Sequence, residues 1–178
     1  RLGADAKVIT LPEHLATFSR AVLPGVGSYA KAMVSLRERG WIPILRAHVE
    51  SGKPLAGICL GMQLLMQSGA EGGNQEGLGF LLGEARPIRP APHGKVPHIG
   101  WNSITVERDH ALLAGIRISS DYYFAHSWVV NTSDNETIVA TTSHGESFPS
   151  IVAKDNIVGF QFHPEKSPPM GPLLLRNF

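Results

Sequence analysis

Pro54-Leu55-Ala56-Gly57-Ile58-Cys59-Leu60-Gly61-Met62-Gln63-Leu64-Leu65-Met66 sets an apolar run of strand character directly against a run of helix formers, with the chain's one cysteine at the junction and a glycine two positions to either side. A strand that turns sharply into a helix holds its corner residue in a strained backbone conformation, and flanking glycines remove the Cβ atoms that would collide there. This is the grammar of a nucleophile elbow. It predicts that Cys59 is presented rather than buried, with its sulfur at the N-terminus of the following helix, where unpaired N–H groups and the helix dipole favour thiolate over thiol. The bland alternative is a small buried residue between two glycines, because free cysteine is among the most buried residue types.

At 178 residues and 19.2 kDa the chain fits one domain over residues 1–178, enough to bury roughly two-thirds of its unfolded surface without staples. One cysteine cannot make an intrachain disulfide, which suits a reducing cytosol. A formal net charge of +1, with both signs mixed along the chain, gives no electrostatic footprint for nucleic acid or for an anionic membrane. No apolar run approaches the roughly 20 residues of a membrane span, and no signal peptide opens the chain. The composition therefore predicts a soluble, cytoplasmic protein. Arg1-Leu2-Gly3-Ala4-Asp5 reads as the tail of a helix rather than a natural start, so a preceding N-terminal piece is expected.

Working outward from the elbow, the first half alternates strand and helix. Residues 6–10 form a β-branched run and 11–18 a helix opened by Leu11-Pro12-Glu13. Ala21-Val22-Leu23 is a strand ended by Pro24-Gly25, and Ser28 is an N-cap for a helix stopped at Gly40. Residues 44–51 form a further helix closed by Gly52. This rhythm implies parallel pairing with helices on both faces of the sheet. From about Gly69 the texture changes: residues 72–77 read as loop, and 85–93 are proline-rich. Short strands are then expected at 104–106, 122–124, 128–130, 138–140, 150–153 and 157–160, with Asp155-Asn156 as a tight turn between the last two. A final helix spans 170–178. The fold class is α/β, three-layered, with a mostly parallel central sheet and additional antiparallel strands in the second half.

A cysteine nucleophile needs a base, and the base an orienting partner. Phe160-Gln161-Phe162-His163-Pro164-Glu165, at the end of the last strand, offers both. In extended backbone i and i+2 point the same way, so Glu165 can accept from one ring nitrogen of His163 while the other faces Cys59. Ligands in parallel α/β sheets bind beyond the carboxyl ends of the strands, where both Cys59 and His163 fall. Taken alone, His163 could equally be a strand-end histidine satisfied by a nearby carboxylate; coupled to the elbow, it is read as the base. The other seven histidines are scattered without metal-ligand spacing, and no metal is assigned. Acyl chemistry at cysteine passes through oxyanions and requires two N–H donors. Leu60, after the nucleophile, supplies one. Pro24-Gly25-Val26-Gly27-Ser28 supplies the other, through Val26 or Gly27, unless its glycines serve only a strand-to-helix turn.

Three pieces together, Leu23-Pro24-Gly25-Val26-Gly27-Ser28, Gly57-Ile58-Cys59-Leu60-Gly61-Met62-Gln63 and Gln161-Phe162-His163-Pro164-Glu165-Lys166-Ser167, resemble the class I (triad) glutamine amidotransferases, in order and spacing over essentially the whole chain. Lys95-Val96-Pro97-His98-Ile99-Gly100-Trp101-Asn102 and Tyr123-Phe124-Ala125-His126-Ser127 are similar to the branch that serves imidazole glycerol phosphate synthase in histidine biosynthesis. The resemblance implies a flavodoxin-like fold and a Cys59-His163-Glu165 triad that hydrolyses glutamine through a thioester, without a cofactor. It implies that Gln63 and Glu71 hold glutamine, with backbone around His126-Ser127-Trp128 completing the pocket. It implies a heterodimer with a synthase (cyclase) subunit, a (β/α)8 barrel that receives the ammonia. Trp101 and Lys166 are then interface candidates, though a packed tryptophan and a solvated lysine would look the same. Family members normally begin with a strand and a Gly-rich loop before a helix whose tail Arg1-Leu2-Gly3 resembles, so the domain is expected to lack that strand and loop. A glutaminase of another pathway, making pyridoxal phosphate, anthranilate or nucleotides, would share the triad. A non-catalytic regulatory relative would share the fold, and a cysteine peptidase would turn over peptides instead.

Overall fold

The structure, a computed structural model, describes residues 3, 5–92, 94–117 and 119–178. Along the chain run β1 (Ala21–Gly25), α1 (Tyr29–Glu38), α2 (Trp41–Glu50), β2 (Leu55–Cys59), α3 (Leu60–Leu64), β3 (Met66–Gly69), β4 (Gln75–Glu76), β5 (Leu81–Pro87), β6 (His98–Ser103), β7 (Thr105–Val106), β8 (Asp121–His126), β9 (Trp128–Asn131), β10 (Ile138–His144), β11 (Glu146–Lys154), β12 (Ile157–Phe160) and α4 (Met170–Asn177). The central sheet has the order β1-β2-β12-β11-β10-β7. Its first three strands are parallel and the rest antiparallel. A four-stranded sheet, β4-β3-β5-β9, and a two-stranded one, β6-β8, complete the fold.

Strand β2 is buried along its whole length because both faces of the sheet are covered. Side chains alternate across a strand, so Leu55 packs with Met33, Leu45, Met62 and Ile157 under α1, α2 and α3, whereas Ala56 and Ile58 pack with Phe160, Phe162 and Leu174 under α4. Parallel registers Gly25↔Cys59 and Phe160↔Ile58 bring the carboxyl ends of β1, β2 and β12 to one rim. That rim carries the elbow.

Several expectations need correction. Residues 6–10 make no strand, and Val8 is 96% exposed; β-branched propensity extends a segment but cannot replace a ladder partner, and among the described residues no strand lies beside it. The helix tail read at Arg1-Leu2 lies outside the described residues, as does His93. Residues 11–18 condense into a 3₁₀ helix, Pro12–Thr17. The apolar run after the elbow is helical only through Leu64 and re-enters sheet as β3. The stretch 72–77, expected as loop, contains β4, and β5 and β6 are strands that the sequence hides, β5 by the proline-rich texture around it and β6 by Pro97 before it and Gly100 and Asn102 within it. Asp155, in the left-handed region at φ 51°, sits in the expected turn.

Arg86 of β5 forms a paired ion contact with Glu146 at the start of β11, at 2.7 and 2.8 Å, and Glu146 also accepts from the Arg89 N–H. The hydrogen bond from Arg86, opposed by partial burial, holds the Glu146 carboxyl below its usual range. A depressed carboxylate contributes stability above its unfolded pKa and loses it as pH falls through the folded one. Glu146→Gln should cost about 1–3 kcal/mol near neutrality, the difference shrinking in acid below the ordinary value of 4.5; urea unfolding of both proteins across pH checks this. A Cβ on Gly61 would lie 1.8 Å from the Leu23 carbonyl oxygen. Gly61→Ala should therefore destabilise by about 3 kcal/mol or more and lower Tm by roughly 10 °C, measurable by calorimetry.

Candidate active site

The elbow is built as its glycines require. Cys59 sits at φ 53°, ψ −109°, a strained region for a residue with a Cβ. The turn closes because Gly57 and Gly61 pack backbone to backbone: a Cβ on Gly57 would stand 2.6 Å from the Gly61 carbonyl. The corner is nevertheless buried, with Cys59 only 5% exposed, which corrects the expectation that it is presented. The electrostatic expectation also changes. Burial pushes the thiol up to about 11, outweighing the Leu60 N–H that favours the thiolate; Glu165 adds to the rise and Lys166 opposes it. Helix α3 spans only five residues, so its dipole is too short to win.

Cys59 Sγ lies 4.0 Å from the Ala125 carbonyl, to which the thiol donates, and accepts from Gln161 Nε2 at 3.8 Å. It lines a cavity of about 290 Å³ whose wall includes Val26, Gly27, Leu60, Gln63, Glu71 and Ser127. The residues expected for oxyanion and substrate contacts thus meet around the sulfur. Gly27 has φ 101°, a conformation that keeps a side chain off this loop. Glu71 also has a structural task, since its carboxylate accepts from the Tyr29 N–H at the start of α1.

His163 lies three residues past β12. Its Nδ1 bonds Glu165 Oε1 at 2.8 Å, as expected, but through a 3₁₀ turn, Pro164–Lys166, instead of extended backbone. The His163 N–H donates to the Tyr123 carbonyl at 2.9 Å. Tyr123 and Ala125 are two residues apart on β8, so one strand holds the histidine backbone and meets the sulfur about 7 Å further along. Among the described residues no hydrogen bond joins Cys59 to the His163 ring.

The sequence reading missed Ser167 and a histidine cluster. Ser167 is fully buried; its Oγ accepts from the Tyr123 N–H at 2.9 Å and donates to the His163 carbonyl at 2.6 Å. It lay in the quoted motif, but a serine carries no signal of its own there. His98, His126 and His144 converge although far apart in sequence. His98 Nδ1 and His126 Nε2 are 3.0 Å apart, and His144 stacks on His98 with ring centroids 4.1 Å apart. Burial, reinforced by the neighbouring histidines, pushes His98 down to about 4 and His126 to about 3. Among the described residues no group of three or more His, Cys, Asp or Glu is arranged to hold a metal ion.

Trp101, 56% exposed, meets Tyr123 edge-on with ring centroids 5.9 Å apart, and Lys166 Nζ lies 5.6 Å from the Tyr123 ring centroid. Of the exposed apolar residues, Val26 and Ile99 line the Cys59 cavity, whereas Trp101 lines a separate one with Arg117, Asp121 and Met170.

Residues 4–178 match the family model described as glutamine amidotransferase class-I. The imidazole glycerol phosphate synthase subunit HisH of Desulfitobacterium hafniense is 45% identical over 178 residues, covering all of this chain and 83% of that protein. The subunit of the same name from Aquifex aeolicus is 44% identical over 158 residues, covering 88% of this chain and 75% of the relative. A solved glutamine amidotransferase superimposes with a TM-score of 0.73 at 25% identity, covering 98% of this chain and 85% of that one.

Removing the Ser167 hydroxyl leaves the Tyr123 N–H without its partner, while the His163 carbonyl keeps the Lys166 N–H. Ser167→Ala should cost about 1–3 kcal/mol and loosen the His163 corner, checked by urea unfolding together with the sharpness of the His163 ring signals in NMR.

Proposed function

The chain belongs to the class I glutamine amidotransferase family, and on that premise we propose that it is the glutaminase subunit of an imidazole glycerol phosphate synthase, supplying ammonia for histidine biosynthesis. The observation that carries this reading is the strained Cys59 corner at the same sheet rim as the His163–Glu165 pair, opening on a cavity lined by Gln63, Glu71 and Ser127.

The Cys59 sulfur, its proton passed to His163, attacks the side-chain amide carbon of glutamine. Charge gathers on the amide oxygen, beside the Leu60 N–H and the Val26-Gly27 loop. Collapse of the tetrahedral intermediate breaks the C–N bond, and His163 returns the proton to the leaving nitrogen, releasing ammonia and leaving a γ-glutamyl thioester. Water, deprotonated by His163, attacks the thioester; the C–S bond breaks, glutamate leaves and the cysteine is regenerated. Glu165 fixes the tautomer by accepting from Nδ1, which directs Nε2 to the chemistry.

Exposed Val26 and Ile99 in the cavity wall, with exposed Val96 and Trp101 on the same stretch of chain as Ile99, support docking of the synthase subunit, a (β/α)8 barrel in a heterodimer, with Trp101 and Lys166 as interface candidates. An apolar patch ringed by polar groups is what a docking surface requires. Among the described residues no helix is long and apolar enough to cross a membrane, and a biosynthetic role of this kind belongs in the cytoplasm.

The test is glutamate release from glutamine in the presence of the synthase subunit. We expect turnover that falls by about three to six orders of magnitude in Cys59→Ala. Absence of turnover in the parent protein, or its retention in the variant, overturns the reading.

A further inference from the structure

Gln161 follows the last residue of β12, and no step of the proposed reaction uses it. Its side chain is fully buried against the nucleophile, with Nε2 3.8 Å from Cys59 Sγ and Oε1 3.3 Å from Gln63 Nε2. Which end of the amide faces the sulfur is decided by a group that has no choice. The Trp128 carbonyl can only accept, so the Gln63 atom 2.9 Å from it is the amino end of that side chain. The same amino group reaches Gln161, which must then turn its oxygen to Gln63 and its NH₂ to the sulfur.

The Trp128 carbonyl uses its second lone pair on His126 Nδ1, at 2.9 Å. Nδ1 must therefore carry a proton. Burial keeps both rings neutral, so His126 Nε2 accepts from His98 Nδ1, and His98 Nε2 accepts from Asn102 Nδ2 at 3.3 Å. Asn102 cannot flip, because its Oδ1 takes the Ser103 N–H at 2.9 Å and its Nδ2 also donates to the Ser143 carbonyl at 3.0 Å. From β6 to the Trp128 carbonyl every donor has one permitted direction, and the carbonyl so held orients Gln63 and Gln161.

We propose that Gln161 is a further catalytic residue: its amide N–H donates to Cys59 Sγ and favours the thiolate, while the chain Asn102–His98–His126–Trp128–Gln63 prevents the amide from turning its oxygen to the sulfur. This rests on the reading of Cys59 as the nucleophile. A donor to the charged form favours that form, and an acceptor in its place opposes it. Because burial works against ionisation, donors on the sulfur, beside the Lys166 charge, are what the site has to set against it, and Gln161 joins the Leu60 N–H in that role. A neutral amide keeps its donor at every pH, unlike an imidazolium. It serves twice per turnover, when the thiolate attacks and when it leaves the thioester.

Cys59 is the sole cysteine, so alkylation by iodoacetamide, read by intact mass, follows its thiolate without substrate or partner. The charges that act on it, Glu165 and Lys166, and the neighbouring His126 and His163, are unchanged in Gln161→Met and Gln161→Glu. Gln161→Met lacks the donor outright; Gln161→Glu lacks the amide donor at nearly constant shape and, once its carboxyl ionises, adds a negative charge. We expect the alkylation profile to move toward higher pH and the rate at about pH 8 to fall about three- to tenfold in Gln161→Met, and further in Gln161→Glu; the fall is smaller than the loss of thiolate because a more basic sulfur is a better nucleophile. Unchanged rates in both variants overturn the proposal. So do faster rates, which mark a packing role whose loss exposes the sulfur. Glutamine turnover of the parent protein, measured alongside, decides the glutaminase reading by itself: its absence leaves the alkylation result intact, and normal turnover does not rescue the Gln161 role if the profiles coincide.

Discussion

One close approach sets the geometry of everything at the rim: α3 is pressed onto the ends of β1 and β2 until the Gly61 backbone meets the Leu23 carbonyl with no room for a side-chain atom. A helix standing one methyl group further off could not follow Cys59 directly, and the cysteine would relax from φ 53° into ordinary strand. The backbone strain at that corner is of order 1–3 kcal/mol. It persists because Leu55, Met62 and Ile157 on one side and Ala56, Ile58 and Phe160 on the other are fixed by burial. The same contact aims the Leu60 N–H at the sulfur, since the residue after a strained corner has no other direction in which to begin a helix.

Strand β8 is the second constraint. The Tyr123 carbonyl holds the His163 backbone, the Tyr123 N–H is held by Ser167, and the Ala125 carbonyl meets the sulfur. The cysteine ends one strand of the central sheet and the histidine follows another, yet both meet two residues of a strand that belongs to another sheet. Ser167 converts this from proximity into position, since its hydroxyl ties the two neighbouring backbones, accepting from the Tyr123 N–H and sharing the His163 carbonyl with the Lys166 N–H. Long-range placement here rests largely on backbone groups, with structural tasks also carried by the side chains of Glu71, Gln63 and Gln161.

Much of this was legible in the sequence, and the reasons are specific. The elbow could be read because glycines at i−2 and i+2 of a cysteine between strand and helix formers have few other uses, and His163-Pro164-Glu165 because a proline between an imidazole and a carboxylate fixes their relation. The parallel core followed from alternating strand and helix signals, each with its own stop residue. What escaped reading depended on burial or on partners distant in sequence. Residues 6–10 have strand composition and no ladder. Cys59 has the local surroundings of a thiolate, but the Ala125 carbonyl, 66 positions away, and the aromatic packing of Phe124 and Phe162 around the rim keep it from water. His98, His126 and His144 are scattered along the chain and form one cluster only once β6, β8 and β10 are brought together. Tautomers and amide orientations, which decide what each of these groups can donate, have no sequence signature at all.

The hairpin-like pair β6-β8 joins these two kinds of information. Its outward side chains, Ile99 and Trp101, are exposed and apolar, and its inward groups are the Tyr123 and Ala125 carbonyls and the His98–His126 pair. Under the proposed reading, the docking surface and the groups that hold the nucleophile are two faces of the same few strands, separated by one thickness of backbone. Coupling between partner and site then needs no extended path through the domain. At the sulfur itself the competing influences are burial, which favours the thiol, and the Leu60 N–H with the Lys166 charge, which favour the thiolate.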